Sequence, residues 1–348
     1  MENPVTCVWE TTLKCNMNCG HCGSSCGNIS SDDELSTSEA FSFIDMCKKM
    51  GLKWISLSGG EPFIRPDLVK LLEYLNISQI PVNVISNGWL IYKEILDEIK
   101  SNNISNLRIM ISVDGPKFIH DSIRCSGSFD RIENSFGLLN EYGIMTGCIT
   151  TVTKKNLNFI EDIRKFLVKM KVDCWQFQFG LPMGNLQKDS IISPNDLNYL
   201  INYFYEISGK DGIYVFPADC IGYYNEKINK IIKESYGIKY NVDWAGCHAG
   251  IRSFGLLSNG DVVGCTSIRD KRYIEGNIRN RSLKSIWEDP NSFAWRRKFS
   301  YNDLKGDCKK CLHLKQCLGG CFNTRFTMNG CFDSENLYCT RNILLKGK

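Results

Sequence analysis

The chain has 348 residues, 43% hydrophobic and 23% charged, with a formal net charge of +4. Those totals suit a soluble globular protein with a sizeable core and room for a smaller second domain. So slight a positive excess on so long a chain argues against a nucleic-acid partner. No basic start followed by an apolar run opens the sequence, and no apolar stretch approaches a membrane span, so a cytoplasmic location is expected. Eighteen cysteines stand against four histidines, His21, His120, His248 and His313. Disulfides are rare in the cytoplasm, so clustered cysteines point to metal or catalysis. The shortage of histidine favours thiolate-bound iron–sulfur clusters over histidine-rich sites. Such clusters and thiolates oxidise readily, which implies an oxygen-poor setting.

In chain order, Val5 to Thr12 reads as a strand because β-branched and aromatic residues dominate it. It leads into a glycine-rich loop, Cys15-Asn-Met-Asn-Cys19-Gly-His-Cys22-Gly-Ser-Ser-Cys26-Gly, whose C-x3-C-x2-C spacing can converge three thiolates on one small object. A mononuclear zinc site wants four ligands, whereas three leave one iron of a [4Fe-4S] cube uncapped; buried thiols or a redox pair are the plainer alternative. Ser36-x-x-Glu39 is a capping box, opening a helix with apolar Phe41, Ile44, Met46 and Met50 that Gly51 stops. Extended and helical stretches then alternate. Trp54 to Leu57 is extended, Asp67 to Leu75 helical, Val82 to Ile85 extended, Leu90 to Lys100 helical and Leu107 to Val113 extended. Phe129 to Tyr142 is helical, Met145 to Val152 extended, Leu157 to Met170 helical, Val172 to Phe179 extended and Asp196 to Ile207 helical. Such alternation marks βαβ units and a parallel sheet, open or closed into an incomplete barrel. In both, ligands sit beyond the carboxyl ends of the strands.

The unusual residues fall at those ends. Ser58-Gly59-Gly60-Glu61-Pro62 follows the second strand, either as a tight turn or as backbone brought close to a ligand beside a carboxylate. Ser86-Asn87-Gly88 ends the third strand and Ser112-Val113-Asp114-Gly115 the fourth. They offer groups suited to ribose hydroxyls, or plain turn chemistry. Gly180 to Pro194 reads as a connector. Beyond residue 215 the pattern changes to short pieces, glycine turns and cysteines, with little helical periodicity before Ser282 to Trp287. The expected division is therefore residues 1–215 and 216–348, the second domain held by metal rather than by apolar burial. Within it come Cys247-x12-Gly260-x4-Cys265, then Cys308-x2-Cys311-x5-Cys317-x3-Cys321, and Cys339. Two zinc ribbons are the structural alternative.

The first cysteine loop followed one strand later by Gly-Gly-Glu-Pro resembles the signature of the radical S-adenosylmethionine (SAM) enzymes, with His21 where that family usually has an aromatic. The resemblance implies an α/β fold, a partial (β/α)6 TIM-type barrel. Cys15, Cys19 and Cys22 would hold a [4Fe-4S] cluster whose open iron takes the amino and carboxylate groups of SAM. Gly59, Gly60 and Glu61 would hold the SAM amino group, and Ser112, Asp114, Ser86 and Asn87 the ribose. Arg124 lies in a stretch similar to the family's R-G-x-G-[ST]-F, with Cys125 in place of the customary glycine. It would pair with the SAM carboxylate or fix a surface loop. The C-terminal seven-cysteine pattern resembles the SPASM domain, which carries auxiliary [4Fe-4S] clusters in radical SAM enzymes that modify peptides and proteins. By that resemblance Cys247, Cys265 and Cys321 hold one auxiliary cluster, completed by Cys331, Cys220, a non-cysteine ligand or the substrate. Cys308, Cys311, Cys317 and Cys339 hold a second. Cys7, Cys26, Cys47, Cys125, Cys148, Cys174 and Cys220 are expected to be small buried hydrophobes.

The family's chemistry would be reductive cleavage of SAM to a 5′-deoxyadenosyl radical that abstracts hydrogen from an unactivated C–H bond, with the cofactor carrying the difficult step. The favoured substrate is a ribosomally synthesised precursor peptide, receiving a crosslink, a thioether or a related C–H functionalisation. Sulfatase maturation fits less well, because those enzymes typically have a carboxylate after the cysteine equivalent to Cys265, where this chain has Thr266-Ser267. Porphyrin side-chain modification is the third outcome. Many peptide-modifying members carry a leader-binding domain before the barrel, yet Cys15 comes almost at once. Leader recognition is therefore expected from a separate leader-binding protein, from the SPASM face, or not at all. A flavodoxin or ferredoxin would donate electrons. An iron–sulfur electron-transfer protein that never uses SAM is the alternative of another class, and the motifs Ser58 to Pro62 and Ser112 to Asp114 argue against it.

Overall fold

The computed structural model describes residues 2–27, 33–223, 225–236 and 244–346. Among them ten strands occur: β1 (Thr6–Thr12), β2 (Trp54–Gly59), β3 (Val82–Ser86), β4 (Leu107–Ser112), β5 (Met145–Val152), β6 (Cys174–Phe179), β7 (Tyr214–Pro217), β8 (Ser253–Leu256), β9 (Asp261–Val263) and β10 (Ile274–Asn277). A helix follows each of β1 to β6, which is the (β/α)6 succession that the alternation implies. The chain divides into two compact units, neither continuous in sequence. One comprises Met1–Ser112, Asp130–Thr146 and His248–Phe299; the other comprises Val113–Phe129, Gly147–Cys247 and Ser300–Lys348.

In the first unit the strand order is β10-β9-β8-β1-β2-β3-β4. The pairs from β8 through β4 are parallel, while β9 and β10 continue antiparallel from β8. The helix Thr37–Lys49 starts at the expected capping box, with Ser36 and Glu39 each accepting from the other's backbone N–H. Its buried face is Ala40, Phe43, Ile44 and Cys47; Phe41, expected in the apolar stripe, instead stacks on Tyr74 at 4.3 Å. Trp9 of β1 meets Phe43 edge-on, and the aromatic chain continues through Phe254, Trp287 and Phe293. This seats β8 beside β1, a pairing that four residues of local sequence do not announce.

In the second unit β5, β6 and β7 are parallel. Phe177 stacks on Phe204 of the helix Pro194–Ile207 at 3.7 Å, with Trp175 edge-on to the same ring. A helix at Glu226–Tyr236 lies where only short pieces were expected, burying Ile228, Ile231 and Ile232 at i, i+3 and i+4 spacing. From residue 300 the chain forms short helices tied to this unit. The Thr324 hydroxyl donates to Cys220 O (3.1 Å), Tyr338 donates to Ile192 O (2.5 Å), and the Tyr338 ring stacks on Phe179. No described helix is long and apolar enough to cross a membrane.

Candidate functional site

The end of β2 crosses the start of the cysteine loop at backbone contact. A Cβ on Gly59 would lie 2.2 Å from the Thr12 carbonyl oxygen, and one on Gly60 would lie 2.0 Å from that of Lys14. The approach lets Gly60 N–H donate to Thr12 O and Glu61 N–H to Lys14 O. These two glycines therefore seat the loop. The Glu61 carboxylate is fully buried and accepts from Phe63 N–H (3.1 Å), the Ser86 hydroxyl (2.9 Å) and Asn87 N–H (2.7 Å), tying the end of β2 to that of β3. Asn87 turns its amide to the loop, donating to Asn16 Oδ1 (2.7 Å) and Cys15 Sγ (3.9 Å). Gly59, Gly60, Glu61, Ser86 and Asn87 are thus brought together beside the first cysteine, and Ser112 closes β4, half-buried.

Within the loop, Cys22 N–H donates to Cys19 O (3.2 Å) and Cys26 N–H to Cys22 Sγ (3.4 Å). A hydrogen bond between the two thiols holds Cys22 below the ordinary thiol value and pushes Cys26 above it, while burial pushes Cys15 up. Sequence reasoning missed the braces around this loop. Glu10, buried on β1, pairs with Arg269, and both bond Ser24. Burial raises the Glu10 carboxyl, with Arg269 opposing. Glu34 accepts from the Thr12 hydroxyl (2.7 Å) and Leu13 N–H (3.1 Å). Arg65 donates to Thr11 O and Leu35 O and pairs with Asp67. A charge inside an apolar run is the signal that marks Glu10 and Arg65; nothing local marks Arg269.

Asp114 is a further buried carboxylate, in the other unit. Its Oδ2 accepts from Arg124 Nε (2.6 Å) and its Oδ1 from Thr151 N–H (3.1 Å). Its own N–H donates to His120 Nδ1, and its carbonyl accepts from Asn156 Nδ2. Arg124 is thus an internal partner of Asp114. Asp121 organises the following stretch by accepting from Gly127 N–H, the Ser128 hydroxyl and Phe129 N–H.

Also in that unit, Cys308, Cys311, Cys317 and Cys339 line one cavity together with Tyr223 and Asn336. Cys308 sits in the helix Gly306–Lys309, Cys317 ends the helix Leu314–Cys317, and Cys339 precedes the helix Thr340–Lys346. His313 N–H donates to Cys311 Sγ (3.4 Å). Burial pushes the thiols of Cys308 and Cys339 up and that of Cys317 to about 12, with neighbouring cysteines adding to each shift. Thiols so reluctant to ionise alone suit a cationic centre that would bind them as thiolates. Cys247 and Cys321 lie in this unit and Cys265 follows β9 in the other. Cys220 is bonded to the Phe179 backbone, and Cys331 lies beside Asp333.

Residues 9–167 match the Radical SAM superfamily and residues 247–312 match SPASM, an iron-sulfur cluster-binding domain. The chain is a radical SAM/SPASM enzyme. Its relatives include the AdoMet-dependent heme synthase of Methanosarcina barkeri, 29% identical over 97% of this chain and 96% of that protein. The mycofactocin maturase MftC of Mycolicibacterium smegmatis is 24% identical over 94% of this chain and 80% of that protein. Crystal structures of Streptococcus suis SuiB share the fold. With bound S-adenosylmethionine the TM-score is 0.76 at 18% identity, over 98% of this chain and 77% of that one. With bound precursor peptide SuiA it is 0.74 at 17% identity, over 97% and 75%. A radical SAM/SPASM enzyme binds SAM and iron–sulfur clusters, and the donor chemistry of both thiol groups here fits them. Three cysteines share one short loop after β1, and four line one cavity.

Proposed function

We propose that this radical SAM/SPASM enzyme matures a ribosomally synthesised precursor peptide, using one SAM-cleaving cluster at Cys15, Cys19 and Cys22 and two auxiliary clusters. The second auxiliary cluster is assigned to Cys308, Cys311, Cys317 and Cys339; Cys247, Cys265 and Cys321 are assigned to the first. The observation that carries the reading is the gathering of those four cysteines around one cavity, because the complete seven-cysteine pattern resembles that of enzymes acting on peptides and proteins. SuiB, of the same fold, has been crystallised with its precursor peptide. When bound, the clusters supply the electron that cleaves SAM and a place for the electron left when the substrate radical is oxidised.

The protein's own part is orientation and charge. Gly59 and Gly60 hold the cluster loop against β2, and Glu61 fixes Ser86 and Asn87 at the rim. Donors on thiol sulfur, Asn87 Nδ2 on Cys15 and Cys26 N–H on Cys22, would disperse thiolate charge. Ser112 and Asp114 are assigned to the ribose of SAM, with Arg124 orienting the Asp114 carboxylate.

Anaerobic protein incubated with SAM and a strong reductant should release 5′-deoxyadenosine. If a short open reading frame lies beside the gene, co-expression should change the mass of the encoded peptide by loss of two hydrogens per crosslink. SAM cleavage with an unaltered peptide overturns the peptide reading. A second reading, modification of a porphyrin side chain, is favoured by the 28–29% identity to three heme synthases over nearly the full chain. Formation of heme from an iron porphyrin precursor in the same assay would replace the first reading with it.

A further inference from the structure

We propose that Arg325 is a fixed cation that raises the reduction potentials of the auxiliary clusters, standing behind the turn that carries one ligand of each. This rests on the ligand assignment above. The turn is Cys317-Leu318-Gly319-Gly320-Cys321, with a residue of the second set at one end and of the first at the other. Arg325 is wholly buried, one turn into the helix Phe322–Asn329 that Cys321 caps. Its Nη2 donates to the Leu318 carbonyl (2.8 Å), its Nη1 donates to that of Phe332, and its guanidinium lies 4.4 Å from the Phe322 ring centroid. Gly319 lines the cavity formed by Cys308, Cys311, Cys317 and Cys339, and a Cβ on it would fall 2.8 Å from the guanidinium carbon. Gly319 thus borders both the guanidinium and the space lined by the second set. Burial lowers the proton affinity of the guanidinium, and the thiols of Cys308, Cys321, Cys247 and Cys317 oppose that loss.

The physics follows from charge. A [4Fe-4S] cluster held by thiolates becomes more negative on reduction, so a permanent positive charge at close range, shielded from water, favours the reduced form and raises the potential. The arginine fork is planar and reaches two carbonyls, which fixes the charge in place; a lysine would keep the charge with fewer of those bonds.

The test uses the full-length, anaerobically reconstituted enzyme as wild type, Arg325→Gln and Arg325→Lys. Iron and sulfide are counted, and each cluster is followed by electron paramagnetic resonance during a redox titration. Arg325→Gln should keep its clusters and shift the auxiliary potentials negative by at least a tenfold change in the reduced-to-oxidised ratio, about 59 mV for one electron. Arg325→Lys should stay closer to wild type. Loss of auxiliary iron in the glutamine variant with retention in the lysine variant also supports the proposal, since charge is then what the site needs. Unchanged potentials in an iron-replete glutamine variant overturn it, and so does loss of iron in both variants. A wild type holding iron for only one cluster would instead overturn the ligand assignment itself.

Discussion

The cysteine loop after β1 and the cysteine-rich segment from residue 300 both gather thiols, but they are braced differently. The first is an irregular loop clamped by regular structure. Strand ends touch it backbone to backbone at Gly59 and Gly60, and carboxylates on neighbouring segments, Glu34 and Glu61, accept the N–H and hydroxyl donors around it. The second is carried on helical pieces of four to eight residues, too short to persist alone, that enclose buried thiols and a buried guanidinium. Each site has an amide donating to a thiol sulfur, Cys26 N–H to Cys22 and His313 N–H to Cys311. The first site is therefore preformed by the sheet, whereas the second is a set of ligands whose order should depend on what they bind.

The largest effects should come from the ligands. Cys19→Ala should abolish release of 5′-deoxyadenosine. Cys311→Ala should leave SAM cleavage but stop product formation and lower both the iron content and the melting temperature of the apo-to-holo series. Equal losses of SAM cleavage in the two variants would erase the distinction between the sites. Next come the glycines. Gly60→Ala places a methyl group 2.0 Å from the Lys14 carbonyl oxygen and should cost iron at the first site. Gly319→Ala, at φ +79°, adds left-handed strain of about 1–2 kcal/mol to its clash with Arg325 and should cost iron at the second. Iron counts on the two purified variants, with the cluster signals resolved spectroscopically, check both.

The order of elements through β6 was legible because runs such as Trp54 to Leu57 and Val82 to Ile85 are short, apolar and separated by helical periods. The pairing of β8 with β1 was not, since Ser253–Leu256 is too short to show alternation and its partner lies at the other end of the sequence. The helix Glu226–Tyr236 was missed, because its many polar residues masked the helical spacing of Ile228, Ile231 and Ile232. At the site, residue types were readable and orientations were not. Glu61 was expected at the amino group of SAM; that its carboxylate also ties down Ser86 and Asn87, on the next strand, is a proximity only the fold establishes. Arg124 was readable as a cation near the strand ends; its pairing with Asp114 required β4 and the following helix to bring the two together.

Glu61→Gln tests the clamp at intermediate magnitude. The carboxylate accepts from three donors, and an amide nitrogen in its place would face a donor with another donor. Leaving one buried N–H or hydroxyl unmatched costs about 1–3 kcal/mol, to be read as a lower denaturation midpoint at unchanged slope. No loss would mean that backbone contact at Gly59 and Gly60 holds the loop by itself.

The smallest effect concerns the ion pair that anchors the start of the helix Thr37–Lys49 in the same unit. Arg279 pairs with Glu39 (2.6 Å) and Asp33 (2.6 Å). Together with the Ser36 N–H, it holds the Glu39 carboxyl down to about 2, from an ordinary 4.5. A carboxyl depressed on folding adds stability in full above its unfolded value and loses it as pH falls through the folded one. Glu39 is about one-third exposed, with 35% of its side chain accessible, so solvent screening limits the contribution to about 0.5 kcal/mol. Glu39→Gln keeps an acceptor for the Ser36 N–H and removes only the charge. The stability difference between wild type and this variant should be constant from neutral pH to just above 4.5 and shrink steadily toward 2. Urea midpoints across that range measure it, and a difference that grows on acidification would mean that Arg279 holds the segment through Asp33 and the backbone carbonyls rather than through Glu39.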